Sequence, residues 1–188
     1  MTRPAVIVDT NLVVAGLLTA HGDSPVVRIL DGMLVAAFPF VVSEALLAEY
    51  RTVLVRPSLR KLHGLTVAEV EIILTDLAQH AIVLAPVAAP PAPDPGDQLL
   101  WDLLAARADL LLVTGDKLLL RDAGMQGRVI STQAFVTGAL IEFGIRSPQP
   151  APRGRSTPYI ECVRRPQWHC QMASMTCCSQ RGWRRVST

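Results

Sequence analysis

Residues 94–116 constrain the fold more than any other part of the chain, because they predict a helix followed by a buried strand. Strong helix formers run through residues 98–108, with Leu100, Leu103 and Leu104 at helical spacing. Residues 110–113 are all apolar and end in Thr-Gly-Asp, a pattern typical of a strand buried in a parallel sheet. Asp97 stands ahead of this helix, and Asp116 stands where the strand ends. Ligands of open α/β sheets lie beyond the carboxyl ends of strands, so this layout indicates a metal site.

The rest of the body alternates strand and helix signals. The sequence predicts strands at 5–8, 34–42, 81–84 and 128–131, and helices at 12–18, 26–33, 43–54, 66–79 and 132–143. Pro39 makes the second strand region irregular, and a proline-rich link spans residues 86–95. The alternation predicts a three-layer α/β/α sandwich with a mainly parallel central sheet.

Charge divides the chain into two parts. Residues 1–146 carry 11 Lys and Arg against 15 Asp and Glu, and residues 147–188 carry 7 against 1. All four cysteines lie in the second part, and their spacing does not repeat as paired CxxC units, which argues against a zinc module including His169. We therefore expect one domain in residues 1–146 and a basic, poorly ordered tail in residues 147–188.

The hydropathy pattern predicts a cytoplasmic protein with no membrane contact. No long apolar run is free of charges or helix breakers, as a membrane span would require. The apolar residues after Arg3 are interrupted by Asp9, which leaves too short a segment for a secretory signal.

Several carboxylates are expected to converge at the strand ends. Asp9 follows the first strand, Asp97 and Asp116 flank the central helix and strand, and Glu44 and Glu49 lie on the helix that begins after Ser43. Converging carboxylates repel one another unless a cation is present, and a set of oxygen ligands selects Mg²⁺ or Mn²⁺. Because positions 44 and 49 lie about 140° apart around a helix, they cannot both point squarely into one site.

The motifs of the chain, in their order, resemble those of PIN domains. They are VDTN at residues 8–11, SEALLAEY at 43–50, the segment at 94–120, and VISTQAF at 129–135. The resemblance covers about residues 4–143, and the motifs specifically resemble those of the bacterial toxin components of toxin–antitoxin pairs. It implies an α/β/α fold and a ribonuclease that depends on Mg²⁺ or Mn²⁺.

The resemblance also implies roles for individual residues. Asp9, Asp97 and Asp116 match the metal-ligating aspartates, and Glu49, six residues past Ser43, fits the position of the acidic helix residue better than Glu44 does. Thr10 and Asn11 would shape the first turn, and Thr114 would orient Asp116 by hydrogen bonding. Taken singly, Asp9 or Asp97 is more often a helix cap than a ligand, and Asp94 is expected to be a turn residue.

RNA, a protein antitoxin and a second copy of the chain are the partners that the resemblance implies. Basic residues near the acidic site would hold the RNA phosphates, and Arg51, Lys117 and Arg121 are the candidates, with Arg56, Arg60 and Lys61 nearby. The alternative for each of these residues is a solvated helix face.

Two other protein classes with an α/β fold fit the residues after the first strand less well. A phosphatase of the haloacid dehalogenase kind would need an aspartate at position 11, where Asn11 stands, and a nucleotide-binding Rossmann domain would need a glycine-rich turn after the first strand. A non-catalytic PIN-like module that binds RNA or protein remains open.

Overall fold

The computed structural model of the protein describes residues 4–121 and 127–142, which form a mixed α/β domain. Its strands are β1 (Val6–Val8), β2 (Phe40–Val42), β3 (Ile82–Val83), β4 (Leu111–Thr114) and β5 (Val129–Ser131). They form one sheet in the order β3-β2-β1-β4-β5, and every neighbouring pair is parallel. The predicted α/β/α fold with a parallel sheet is confirmed.

Helices connect the strands, as parallel pairing requires. They are α1 (Thr10–Leu18), α2 (Pro25–Leu34), α3 (Glu44–Leu54), α4 (Pro57–His63), α5 (Val67–His80), α6 (Gln98–Ala105) and α7 (Thr132–Glu142), with short 3-10 turns at Pro95–Asp97 and Leu119–Arg121. In the part of the chain that the structure describes, no helix is long and apolar enough to cross a membrane.

The centre of the sheet positions the functional edge. Every residue of β1 and β2 is buried, as the apolar triplets at these positions favour. Val8 pairs with Val113 across β1 and β4, and the Asp9 amide donates to the Val113 carbonyl over 3.1 Å. The residues that follow β1, β2 and β4 therefore emerge side by side at the carboxyl edge of the sheet.

Two element predictions were wrong. Residues 34–42 were predicted as a strand region, but α2 continues to Leu34 and only Phe40–Val42 is extended, because a turn with Ala36 at a φ of 52° separates them. Helix α4 was not predicted, because Arg56-Pro57 was interpreted as the end of α3. Pro57 occupies the first turn of a new helix, where its missing N–H costs nothing.

Helix α6 ends at Ala105, three residues before the predicted end at position 108. The guanidinium of Arg128 donates to the carbonyl groups of Leu104, Arg107 and Leu110, so these carbonyls are satisfied without a further helical turn. The predicted basic tail at 147–188, with its cysteines, and the final residue of the last predicted helix, Phe143, lie outside the described residues.

Candidate active site

Asp9 is a buried carboxylate at the junction of β1 and α1. It is the N-cap of α1, and its Oδ1 accepts from the Asn11 amide over 2.9 Å. Its Oδ2 accepts from the Thr114 hydroxyl over 2.6 Å. Asn11 thus contacts Asp9 through its backbone, while its side chain is exposed. Thr10 is buried, and its hydroxyl has no hydrogen-bond partner in the described structure.

Thr114 joins the first and the last aspartates of the site. The fully buried hydroxyl of Thr114 donates to Asp9 and accepts from the Asp116 amide over 2.9 Å. Thr114 was expected to orient Asp116, but the side chain that it holds is that of Asp9, and it holds only the backbone of Asp116. The Asp116 carboxylate caps the next turn, since its Oδ1 accepts from the Leu118 amide over 2.6 Å.

Asp97 is the last residue of the 3-10 turn at Pro95–Asp97 and directly precedes α6. It occupies the N-cap position of α6, yet its side chain makes no capping hydrogen bond, so the structure does not support the helix-cap alternative for this residue. Asp94 does act as a turn residue, because its Oδ1 accepts from the Gly96 amide over 2.8 Å. The Asp97 carboxylate is half-buried and remains available to a ligand.

The two glutamates of α3 occupy different environments. Ser43 is the buried N-cap of α3, and its hydroxyl accepts from the Leu46 amide over 3.1 Å. Glu44 is exposed in the first turn, whereas Glu49 is partly buried. The charge of Glu49 acts on both Asp97 and Tyr50, and α3 packs against α6, which begins beside Asp97. Glu49 is therefore the glutamate that the structure brings toward the aspartates.

Tyr50 ties α3 to the end of β1 and was not singled out in the sequence. Its side chain is fully buried, and its hydroxyl donates to the Val8 carbonyl over 2.5 Å, one residue before Asp9. Burial raises the pKa of Tyr50, and the charges of Asp9 and Glu49 raise it further. The sequence did contain a signal for this contact. Leu46, Tyr50 and Leu54 are spaced four residues apart on one helix face, and a tyrosine hydroxyl that is buried with such a face needs a hydrogen-bond partner.

The four acidic side chains share one electrostatic environment. Burial raises the pKa of Asp97 to about 6, and the charges of Asp9, Asp94, Asp116 and Glu49 add to the shift. Burial also raises the pKa of Asp9, against the hydrogen bonds from Thr114 and Asn11, and the charge of Asp116 raises it further. A bound cation would relieve this concentration of negative charge.

The donor set suits a hard divalent cation. It consists of carboxylates, the oxygen ligands that Mg²⁺ and Mn²⁺ prefer. Within residues 4–121 and 127–142, no three acidic, histidine or cysteine side chains stand close enough together to form a ligating group. Both Asp9 oxygens already accept one hydrogen bond, and each keeps a second lone pair for a ligand.

The three basic residues predicted to hold RNA differ in their surroundings. Arg51 forms an ion pair with Glu71 over 2.6 Å on the outer surface of α3 and α5. It also lies about 200° around the helix from Glu49, so it faces away from the aspartates. The prediction for Arg51 therefore does not fit its position. Lys117 and Arg121 are exposed and follow Asp116 directly.

Asp102 organises the proline-rich segment that leads to Asp97. Its Oδ1 accepts from the Ala89 amide over 3.0 Å and from the Gln98 side chain over 2.8 Å. Gln98 accepts in turn from the Ala92 amide over 2.8 Å. The segment before Asp97 is thus held against the first turns of α6.

Comparison with known families agrees with this arrangement. The family model described as PIN domain matches residues 5–118, more than half of the 188-residue chain. The match includes Asp9, Glu49, Asp97 and Asp116. No match was found among curated proteins. PIN domains are in general nucleases that use divalent metal ions. A parallel α/β/α sheet in the order 3-2-1-4-5, with this family match over its first four strands, shows that the chain belongs to the PIN-domain family.

Proposed function

We propose that the protein is a metal-dependent ribonuclease that hydrolyses RNA phosphodiester bonds with Mg²⁺ or Mn²⁺. The observation that carries the proposal is the electrostatic interaction of Asp97 with three other carboxylates, those of Asp9, Glu49 and Asp116. The four residues come from four separate segments of a PIN domain. No basic side chain offsets this charge among the contacts of the described residues. Such a site favours a divalent cation, and the cation in turn attracts a phosphodiester.

In the proposed mechanism, Asp9, Asp97 and Asp116 would hold the metal directly or through water, since the described residues form no group of three side chains close enough to ligate it together. A bound Mg²⁺ or Mn²⁺ would neutralise charge on the phosphate and increase the acidity of water at the site. Asp9 keeps its orientation through the hydrogen bonds from Asn11 and Thr114. Glu49 orients the attacking water and accepts its proton, a role that suits a partly buried carboxylate beside Asp97.

Cleavage of a mixed pool of single-stranded RNA by the purified full chain, with Mg²⁺ or Mn²⁺, tests this proposal. We expect cleavage by the wild-type protein, a loss of at least about 100-fold in Asp116→Asn and Glu49→Gln, and near wild-type cleavage in Glu44→Gln. Glu44 and Glu49 share one helix, so the pair separates a site role from a general loss of charge on α3.

Two results would contradict the proposal. Equal losses in Glu44→Gln and Glu49→Gln would remove Glu49 from the site. Metal binding by calorimetry without cleavage of any RNA in the pool would favour the alternative, a PIN-like module that binds RNA or protein without cleaving it.

We further infer that the protein acts as the toxin of a toxin–antitoxin pair, which rests on the resemblance of its motifs to that group. Production of the wild-type protein in a bacterial host should then arrest growth, and production of Asp116→Asn should not. A small antitoxin would restore growth by covering the acidic site. If the wild-type protein cleaves RNA but its production leaves growth unaffected, the protein is a nuclease that does not act as a toxin.

A further inference from the structure

Helix α4 is a positively charged element in an acidic domain. Arg56, Arg60 and Lys61 lie on it or at its N-cap, and the chain holds no acidic residue between Glu49 and Glu69. Residues 1–146 as a whole carry an excess of acidic groups, 15 against 11 basic ones. The segment around α4 therefore carries a net positive charge, whereas the domain as a whole carries a net negative one.

Arg56, Arg60 and Lys61 form no ion pair with the described residues. Arg51 pairs with Glu71, and Arg107 pairs with Asp109 over 2.5 Å. Neither pair includes Arg56, Arg60 or Lys61. Arg56 and Lys61 are exposed, whereas the Nε of Arg60 is buried and has no partner in the described structure. Two exposed cations are thus available to a ligand from outside.

His63 fixes α4 against the end of α3. Its Nδ1 accepts from the Leu65 amide over 3.0 Å, so the proton lies on Nε2, which donates to the Leu54 carbonyl over 3.0 Å. Gly64 follows in the left-handed conformation, with a φ of 69°, and ends the helix. His63 itself is buried. The basic side chains therefore project from a rigid element.

Helix α4 contacts two of the helices that carry or adjoin the acidic residues. It packs against α1, which begins next to Asp9, and against α3, which carries Glu49. An anionic polymer that extends from the acidic site along α1 or α3 would reach this helix. An acidic metal site repels RNA except at its cation, so phosphates on either side of the reacting one need basic partners.

We propose that Arg56 and Lys61 on α4 hold the phosphate backbone of a single-stranded RNA whose adjacent phosphodiester lies at the acidic site. This inference rests on the proposed function, since it assigns the substrate-holding surface of that site. It transfers to α4 the role first predicted for Arg51, whose charge is paired with Glu71.

Binding of a fluorescein-labelled, mixed-sequence single-stranded RNA to the full chain tests the proposal. Fluorescence anisotropy in EDTA measures affinity with cleavage excluded. The double variant Arg56→Gln, Lys61→Gln should bind about 25-fold more weakly at 0.1 M salt, and its slope of log affinity against log salt should fall by about 1.4, at ~0.7 per phosphate contact. The control Arg51→Gln, Arg107→Gln loses the same charge and should bind within about twofold of wild type.

Each other outcome overturns the proposal. An equal loss in both double variants means that net charge alone attracts the RNA, and unchanged binding in Arg56→Gln, Lys61→Gln removes α4 from the interface. Displacement of the RNA by polyglutamate at equal charge concentration would assign α4 to an acidic protein partner.

The metal-free assay also separates this proposal from the nuclease. A protein that binds RNA through α4 but cleaves none with metal keeps the interface and loses the proposed function. Normal cleavage by the wild-type protein, together with normal RNA binding by the Arg56→Gln, Lys61→Gln variant, would support the proposed function and remove α4 from the interface. Thermal unfolding of the variants should match that of the wild type, because both substituted side chains are exposed.

Discussion

At the scale of single residues, the hydroxyl of Thr114 couples two carboxylates that lie far apart in the sequence. It donates to the Asp9 side chain and accepts from the Asp116 backbone, both within 3 Å. Because Thr114 is fully buried, neither contact can be replaced by bulk water.

Substitution of Thr114 by valine should therefore weaken both the fold and the metal site. The shape is kept, but the Asp116 amide loses its partner, which costs about 1–3 kcal/mol of the free energy of unfolding. Thr114→Ser keeps the hydroxyl and serves as the control. Urea unfolding and Mn²⁺ titration by calorimetry measure the two effects. Equal Mn²⁺ affinity in the valine and serine variants would show that the hydroxyl does not orient Asp9.

The pKa of Asp97 predicts that metal binding depends on pH. With a pKa of about 6, this carboxyl must lose a proton before it can ligate. The affinity for Mn²⁺ should be steady above about pH 7 and fall by up to about tenfold per pH unit below pH 6. In Glu49→Gln the onset of the fall should move to lower pH, because the charge of Glu49 raises the pKa of Asp97. Calorimetry between pH 5 and 7.5 tests this, and a flat profile would contradict it.

At the scale of elements, the close approach of α1 and α2 depends on Gly16. A Cβ at this position would lie 3.0 Å from the Cβ of Leu30 and from the carbonyl oxygen of Val26. These atoms belong to a packed helix rather than to a flexible side-chain end, so the helices would have to move apart.

Gly16→Ala should thus destabilise the protein although alanine favours helix. Overpacking costs about 1–3 kcal/mol, which exceeds a helix-propensity gain of about 1 kcal/mol. Gly22→Ala is the control, since a Cβ there meets nothing within 4 Å. Urea unfolding of both variants gives the comparison. A Gly16→Ala protein as stable as the wild type would mean that α1 and α2 separate without cost.

Elements with local signals could be predicted from the sequence. Helices α2, α3 and α5 begin within one residue of their predicted starts, because Ser24-Pro25, Ser43 and the Thr66–Glu69 capping box mark these starts through residues close in the chain. Helix α4 was missed because a proline after a helix is equally consistent with a stop and with a new first turn.

The contacts within the candidate site were less accessible to sequence reasoning. The four carboxylates could be named, because strand ends and helix starts mark them. The hydrogen bonds of Thr114 to Asp9, of Tyr50 to Val8 and of Arg51 to Glu71 could not, because each joins elements that meet only in the folded protein. These contacts decide which side chain each residue orients.

At the scale of the whole molecule, Asp31 makes stability depend on pH. Burial raises its pKa from 3.8 to about 6, and its Oδ1 is buried without a hydrogen-bond partner. The folded protein therefore binds this proton more tightly than the unfolded chain, so the free energy of unfolding falls as pH rises from about 4 to about 6.

Asp31→Asn should accordingly raise the melting temperature at pH 7.5, where the wild-type carboxylate is charged. The difference should shrink as pH falls through 6 and disappear near pH 4, where both proteins are neutral at this position. Asp23→Asn, at an exposed position, is the control and should show no such trend. Scanning calorimetry at four pH values tests this, and a difference that stays constant with pH would contradict it.

The parallel pairing of β1 with β4 also sets when the acidic site is completed during synthesis. Asp9 leaves the ribosome early, but the Thr114 hydroxyl that it accepts from is 105 residues later in the chain. Because parallel strands pair only after the intervening helices are in place, β1 waits for β4. A nascent chain that ends before Leu111 already contains Asp9, Glu49 and Asp97, but it lacks the strand that brings Asp9 and Asp116 together. The acidic site is thus incomplete in any nascent chain from which Thr114 and Asp116 have not yet emerged.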